Sequence, residues 1–396
     1  MKSSTYLPAL TGVRAIAAFM VFFHHFNQAS FPKPIFRILN EFHTGVTVFF
    51  VLSGFLICLR YYDTCEITES WFKKYIKNRI ARIYPMYLLL TLATFAFAWY
   101  IKDSSVYGGF SYPIVLVLMN VFFVRGFFDD LKFTGVAQGW SLTVEECFYF
   151  LAPLFFIKIK KNIRYLVYLP IGLISIGLML VAIFSHVNFY NFYGNCTFMF
   201  LYTFTGRCIE FFLGIYLAMI ALKENKQSVR PKATSIGFII IIIAIALMCS
   251  VPLTNTIKFG LYSPIGILSN NVILPIGIAI LFYGLISENS WIRTFLSTKT
   301  MDLLGKSSYI FYLIHIGFIS KLATEFCSKQ IDQFYTWMDD KEITWFSNNI
   351  SSSVLMIVSV FIILNLVSIL LYKCIEEPMN LYIRRSSLLA TKTTKV

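Results

Sequence analysis

Eight ionisable side chains interrupt stretches of the chain that are otherwise apolar: Arg14, His24, His25, Glu145, Glu146, Arg207, Glu210 and His315. A charge in the middle of an apolar helix costs about 2.5–3.5 kcal/mol on insertion scales, so each of these calls for a reason. Histidine is the side chain best suited to take and give a proton near neutral pH. Arg14 and His25 are eleven residues apart. On a helix that spacing puts both on one face, about 16 Å apart along the axis, and turns His24 about 100° away. Such a stripe could hold an anion at one end and move a proton at the other; the plainer alternative is interhelical hydrogen bonding. Arg207 and Glu210 stand at i, i+3 and can pair, as a structural ion pair or as part of a polar site. Glu145 follows Trp140-Ser141-Leu142, where it either faces an aqueous mouth or serves as a carboxylate near a helix start. His315 lies alone near the end of a late apolar run.

A denser group of charge lies at Lys73-Lys74-Tyr75-Ile76-Lys77-Asn78-Arg79-Ile80-Ala81-Arg82, just before Tyr84-Pro85. Arg79 and Arg82 share a helical face. Two guanidinium forks there could hold phosphates bidentately. From charge alone, an anchor for anionic lipid headgroups is an equally simple use.

These residues sit in a chain of 396 amino acids that is 57% hydrophobic and only 14% charged, with 41 Phe and 23 Tyr. Its mean hydropathy is +0.69. Soluble domains carry about 25% charged residues, so a soluble enzyme, a disordered chain and a disulfide-stapled module are all excluded. The chain reads as an all-α integral membrane protein. Runs of roughly 20 apolar residues fall near 7–27, 43–60, 83–101, 140–157, 165–184, 198–222, 233–252, 264–286, 303–322 and 351–373, which makes ten spans. The apolar stretch 112–124 is too short to cross and is expected to be re-entrant or interfacial. With that choice and cytoplasmic termini, 23 basic residues fall inside and nine outside, as the positive-inside rule requires. The net charge of +14 is therefore topology, and no nucleic-acid partner is expected. One membrane domain fills 1–380, followed by a basic cytoplasmic tail, 381–396. No His, Cys or Asp spacing suggests a metal site.

Seven motifs in order carry a resemblance. They are Tyr6-Leu7-Pro8-Ala9-Leu10-Thr11-Gly12-Val13-Arg14-Ala15 with His25, then Gly45-Val46-Thr47-Val48-Phe49-Phe50-Val51-Leu52-Ser53-Gly54-Phe55, then Arg79-x2-Arg82-Ile83-Tyr84-Pro85. Trp140-Ser141-Leu142-x2-Glu145-x2-Phe148-Tyr149 and Arg207-x2-Glu210-Phe211-x2-Gly214 follow. Ser308-Tyr309-x2-Tyr312-Leu313-x-His315 and Glu376-Glu377-Pro378 close the series. From about residue 6 to 380 the chain resembles the acyltransferase 3 family, the membrane O-acyltransferases of bacterial cell-surface polysaccharides. Thr47 stands where many members carry an acid, and Gly317 where a proline is common. Many members carry a fused hydrolase-like domain; this chain ends at Val396 and is expected to be the stand-alone form.

The resemblance implies an enzyme of the bacterial cytoplasmic membrane that takes an acyl group, usually acetyl, from cytoplasmic acyl-CoA to a hydroxyl of a cell-envelope glycan such as lipopolysaccharide. It implies Arg14 and His25 as the essential pair and Arg79 and Arg82 as the acyl-CoA-binding pair. Glu145, Arg207, Glu210 and His315 match motif positions with substrate-binding or structural roles. On this reading His25 is a general base for the acceptor hydroxyl. The alternative from another class is a transporter or flippase for a lipid-linked glycan, which would also place Arg, Glu and His within the membrane.

Overall fold

The computed structural model describes residues 6–66, 68–107, 112–223, 232–254, 258–341 and 349–386. It is built from helices, and among the described residues the only extended pairing is an isolated bridge between Phe128 and Phe192. In chain order these are α1 (Pro8–His25), α2 (Lys33–Asn40), α3 (Gly45–Tyr61), α4 (Glu69–Ile101), α5 (Pro113–Val121), α6 (Trp140–Lys161), α7 (Tyr165–Phe184), α8 (Cys196–Tyr202) and α9 (Phe204–Lys223). They continue with α10 (Ala233–Ser250), α11 (Pro264–Leu268), α12 (Leu274–Ser287), α13 (Trp291–Leu296), α14 (Lys299–Ile314), α15 (Phe318–Asp340), α16 (Asn349–Leu371) and α17 (Glu377–Arg385).

Among the described residues seven helical stretches are long and apolar enough to cross a membrane, or eight if the bent pair α14–α15 is one span. This is an integral membrane protein. Helices also form at 7–27 and 140–157, as α1 and α6, but these carry Arg14 and the Glu145-Glu146 pair, and such charges lower the hydropathy that marks a span. The stretch 112–124 yields α5, nine residues long. At 1.5 Å per residue it covers about 14 Å of a hydrocarbon layer about 30 Å thick.

Three predicted spans are not single helices, and each break has a local cause. The run 303–322 bends by 92° between α14 and α15. Gly317 turns the chain there at φ +101°, a conformation that glycine alone adopts without strain. The run 198–222 breaks at Thr203, whose backbone is extended. Its hydroxyl donates to the Met199 carbonyl at 2.7 Å, and the Leu201 carbonyl accepts from Arg207 at 3.2 Å. The run 264–286 passes through a π-helical turn, Ser269–Ile273. Such turns widen the helix and re-aim side chains at functional positions; here Asn270 and Asn271 are turned inward and buried.

The site is held by close helix crossings. Gly54 of α3 and Gly214 of α9 let the two backbones touch, since a Cβ at Gly54 would lie 2.8 Å from Phe211 Cα and one at Gly214 2.6 Å from the Phe55 nitrogen. Helices without a hydrophobic drive between them associate through such small-residue contacts. Around this crossing Phe50, Phe148 and Phe211 stack, with ring centroids 5.0 Å and 4.5 Å apart.

Candidate active site

Two cavities open at opposite ends of α1. The first, about 520 Å³, is lined by Arg14, Arg60, Arg79, Arg82, Lys306 and Glu376 among others. A narrower pocket of about 80 Å³ extends it inward past Ser53, Glu145, Tyr149 and Tyr309, and Arg14, Arg79 and Arg82 line both. The second cavity, about 240 Å³, is lined by His24, His25, His43, Arg207 and Tyr312. Between them stands an edge-to-face aromatic contact, Phe49 against Tyr312, with centroids 5.7 Å apart. Phe49 lines the inner pocket and Tyr312 the second cavity.

Arg14 and His25 therefore lie on one helix as the spacing predicts, but each lines a different cavity. Arg14 Nε is buried and has no hydrogen-bond partner. A desolvated donor left free beside an open space costs stability unless an acceptor arrives, so the position suits an anionic or carbonyl ligand. Glu145 lies nearby, where its carboxylate accepts from Ser53 Oγ at 2.6 Å and from the Tyr149 hydroxyl at 3.3 Å. It lies inside the pocket rather than at a helix-start mouth.

Arg79 and Arg82 do share a face of α4, and both reach the first cavity. Neither is a free fork. The Arg79 guanidinium lies between the rings of Tyr61 and Tyr149, 5.5 Å and 5.6 Å from their centroids, and donates to the Tyr61 hydroxyl at 3.4 Å. Arg82 is ion-paired to Glu376. Glu376 is 1% exposed and its second carboxylate oxygen has no partner. It projects from a π-helical turn, Tyr372–Glu376, between α16 and α17.

In the second cavity His24 does not point elsewhere, as helical rotation alone predicts. It lines the same space as His25. The two rings stand in the last turn of α1 with centroids 4.8 Å apart, and His24 packs on His43 at 5.5 Å and on Phe259 at 5.0 Å. His43 Nε2 lies 3.0 Å from Glu41, whose other oxygen accepts from the Gly260 N–H at 2.9 Å. On the far side His25 meets His315, 5.2 Å between centroids. Four imidazoles thus form a row from Glu41 to the end of α14. His315 is fully buried, and its Nδ1 lies 2.6 Å from the Tyr312 carbonyl. A carbonyl can only accept, so Nδ1 carries the proton and Nε2 presents its lone pair. That Nε2 has no partner. His25 itself is exposed to the cavity, where a proton acceptor can meet a substrate hydroxyl.

Arg207 and Glu210 pair, Nε to Oε1 at 2.7 Å, buried beside the second cavity. Arg207 Nη2 also donates to Thr47 Oγ1 at 2.9 Å, Thr47 donates to Asn270 Oδ1 at 3.1 Å, and Asn270 donates to Asn271 at 2.7 Å. With a hydroxyl at position 47, Glu210 is the one carboxylate that pairs with this guanidinium among the described residues.

Several site residues escaped the sequence reading. Ser53, Tyr149, Tyr312 and Glu376 stood inside quoted motifs, so position marked them although chemistry did not. The adjacent Asn270-Asn271 in an apolar run was a usable signal. Arg125, counted among the outer basic residues, is fully buried and donates to the carbonyls of Lys132 (2.9 Å), Thr134 and Val136. It shapes the loop that carries Phe133, Ala137 and Gln138 into the second cavity wall. Among the described residues no three His, Cys, Asp or Glu side chains come together to hold a metal ion.

Outside the spans, Glu288 caps the start of α10. Burial would raise its carboxyl, but the Thr234 hydroxyl and the N–H groups of Thr234, Lys232 and Ala233 outweigh that and hold it below the usual carboxylate range.

The described helices thus form a membrane bundle in which α1 carries an arginine-lined cavity at one end and a histidine-lined cavity at the other. The chain belongs to the acyltransferase domain family, whose pattern it matches over residues 7–373. It is 27% identical over 354 residues to O-acetyltransferase OatA of Staphylococcus aureus strain NCTC 8325, covering 84% of this chain and 53% of that protein. It is 25% identical over 355 residues to a protein of Staphylococcus aureus strain COL named provisionally as an O-acetyltransferase, covering 85% and 55%. The chain thus spans about half the length of these relatives. No solved structure matches it.

Proposed function

We propose that this protein is an O-acyltransferase of the bacterial cytoplasmic membrane, with ten spans and both termini in the cytoplasm. It moves an acyl group, normally acetyl, from acyl-CoA to a hydroxyl of a cell-envelope glycan. The observation that carries the reading is the pair of cavities at the two ends of α1, one presenting Arg14, Arg79 and Arg82 and the other His25. Acyl-CoA enters the arginine-lined cavity thioester first, and its phosphates meet the guanidiniums. The glycan hydroxyl enters the histidine-lined cavity.

The chemistry balances without a further reactant. His25 takes the proton of the acceptor hydroxyl as its oxygen attacks the thioester carbonyl, the carbon–sulfur bond breaks, and the CoA thiolate leaves to be protonated. His315, with its lone pair directed outward from a fixed Nδ1–H, is placed to orient the His25 ring. The Arg14 Nε, lacking a partner, is free to hydrogen-bond the donor arm. Transfer requires the Phe49–Tyr312 contact to open or to admit the thioester along its edge.

The test is CoA release from acetyl-CoA by purified protein supplied with host surface glycans, wild type beside His25→Ala. Release that needs both glycan and His25 supports the reading. Glycan-dependent conformational change without thioester turnover would favour the glycan transporter instead.

A further inference from the structure

The larger cavity carries more positive charge than its own carboxylates answer. Six cations line it: Arg14, Arg60, Arg79, Arg82, Lys306 and Arg384. Arg82 is paired with Glu376, and Lys306 with Asp302 at 2.7 Å. Arg79 is held between two tyrosine rings. Arg60 and Arg384 differ from these, because among the described residues neither a carboxylate nor an aromatic ring holds either of them. Both are exposed, at the rim of the cavity. They come from distant parts of the chain, Arg60 from the last turn of α3 and Arg384 from the last turn of α17. Arg384 feels the positive charges of Arg60, Arg79 and Arg82. Each guanidinium gains a little from the helix C-terminus it ends. That gain explains each position separately, and not why two like charges from different elements converge on one mouth.

We propose that Arg60 and Arg384 form a subsite for a phosphate monoester, and that its occupant is the ribose 3′-phosphate of the CoA donor. This rests on the acyl-CoA reading above and adds to it the group that the rim recognises. The order of charges along the cavity matches the order of groups along the ligand. A CoA thioester that enters with its carbonyl towards Arg14 and His25 leaves its diphosphate in the middle, beside Arg79 and Arg82. The 3′-phosphate, at the far end of the molecule, is then left at the rim. A monoester dianion offers three oxygens and about two charges. Two guanidinium forks supply two charges and planar pairs of donors, the geometry that a single lysine cannot give. Because α17 brings Arg384, the helix that follows the last apolar run becomes part of the donor site.

The test needs no acceptor. Binding of CoA and of 3′-dephospho-CoA, which differ only in this phosphate, is measured by titration calorimetry on the detergent-purified full chain. The wild type is expected to bind CoA about ten-fold more tightly or better, as two charge-assisted contacts warrant. In Arg60→Gln/Arg384→Gln the two affinities should converge, by loss of CoA binding while 3′-dephospho-CoA binding stays at the wild-type value. The Arg60→Lys/Arg384→Lys variant should keep part of the preference. Equal binding of both ligands by the wild type overturns the proposal and leaves the acyl-CoA donor intact. A preference that survives the double glutamine variant places the phosphate elsewhere and also overturns it. So does an equal loss of both ligands in that variant, which would mean that the pair supports the fold. If the wild type binds neither ligand, the donor reading itself fails, and this subsite with it.

Discussion

The crossing of α3 and α9 is a backbone-on-backbone contact beside the site, and Gly54→Ala tests it. A Cβ at position 54 would lie 2.8 Å from both Cα and C of Phe211, and closer still to its carbonyl oxygen, where ordinary contact is 3.4–4 Å. The obstacle is backbone, so no rotamer change relieves it. The two helices must part by upwards of about 0.6 Å. Overpacking of this kind costs about 1–3 kcal/mol, and a backbone-on-backbone clash belongs at the upper end. The functional effect should exceed the stability effect. α3 carries Thr47 and Ser53, α9 carries Arg207 and Glu210, and the Thr47–Arg207 hydrogen bond is 2.9 Å long. Parting the helices by that amount stretches it past 3.4 Å, beyond useful hydrogen-bond length. Misplacement on the order of 1 Å can lower a rate about 100-fold, so kcat for acyl transfer should fall by about ten-fold or more. The apparent Tm in detergent should fall by on the order of 5 °C. Gly172→Ala is the control, because nothing lies within 4 Å of a Cβ there. If Gly54→Ala matches Gly172→Ala in both Tm and kcat, the claim that this crossing positions the site is refuted.

Other perturbations probe separate parts of the molecule. Arg125→Ala removes hydrogen bonds to three carbonyls, of which Val136 keeps the Gly139 N–H at 2.8 Å, at about 1–3 kcal/mol for each buried carbonyl left without a partner, and should lower Tm more than Gly54→Ala; Arg125→Lys should rescue it only in part, since one ammonium cannot reach all three. His315→Phe keeps the ring packed beside His25 but removes the unpartnered Nε2 lone pair, so kcat should fall on the order of 100-fold with donor KM unchanged; wild-type kcat would reduce His315 to a packing role. The carboxyl of Glu288 is held low in the folded state, so it stabilises the protein above its unfolded pKa, and that contribution is lost as pH falls below about 4.5 through the lowered value. Thermal unfolding between pH 7 and pH 3 should show this loss in the wild type and not in Glu288→Gln. His24→Ala should slow transfer less than His25→Ala, because His24 packs against His43 and Phe259 while His25 meets the open cavity.

The sequence by itself determined the class of molecule and singled out the charged residues of its candidate site. Apolar runs of helical length specify a membrane bundle, because in lipid each backbone group must be satisfied within its own segment. Charges within those runs mark the site, because nothing cheaper than function or pairing keeps them there. Arg14, His25, Arg79, Arg82, Glu145, Arg207, Glu210 and His315 all line a cavity or bond directly to a residue that does. The stretch 112–124 forms a helix of only nine residues, as short as its apolar run implied.

What the tertiary structure decided is how those residues are divided and paired. Helical periodicity gives a direction around one axis and says nothing about which neighbour stands there. It therefore put Arg14 and His25 on one face but could not show that the Phe49–Tyr312 contact separates them. It turned His24 away from His25, yet packing against His43 and Phe259 keeps both in one cavity. Arg82 finds Glu376 across 294 residues of chain, and Arg207 finds Thr47 across 160. Such pairings depend on which helices cross and how closely, and small residues such as Gly54 and Gly214 set that through contacts that no local pattern encodes.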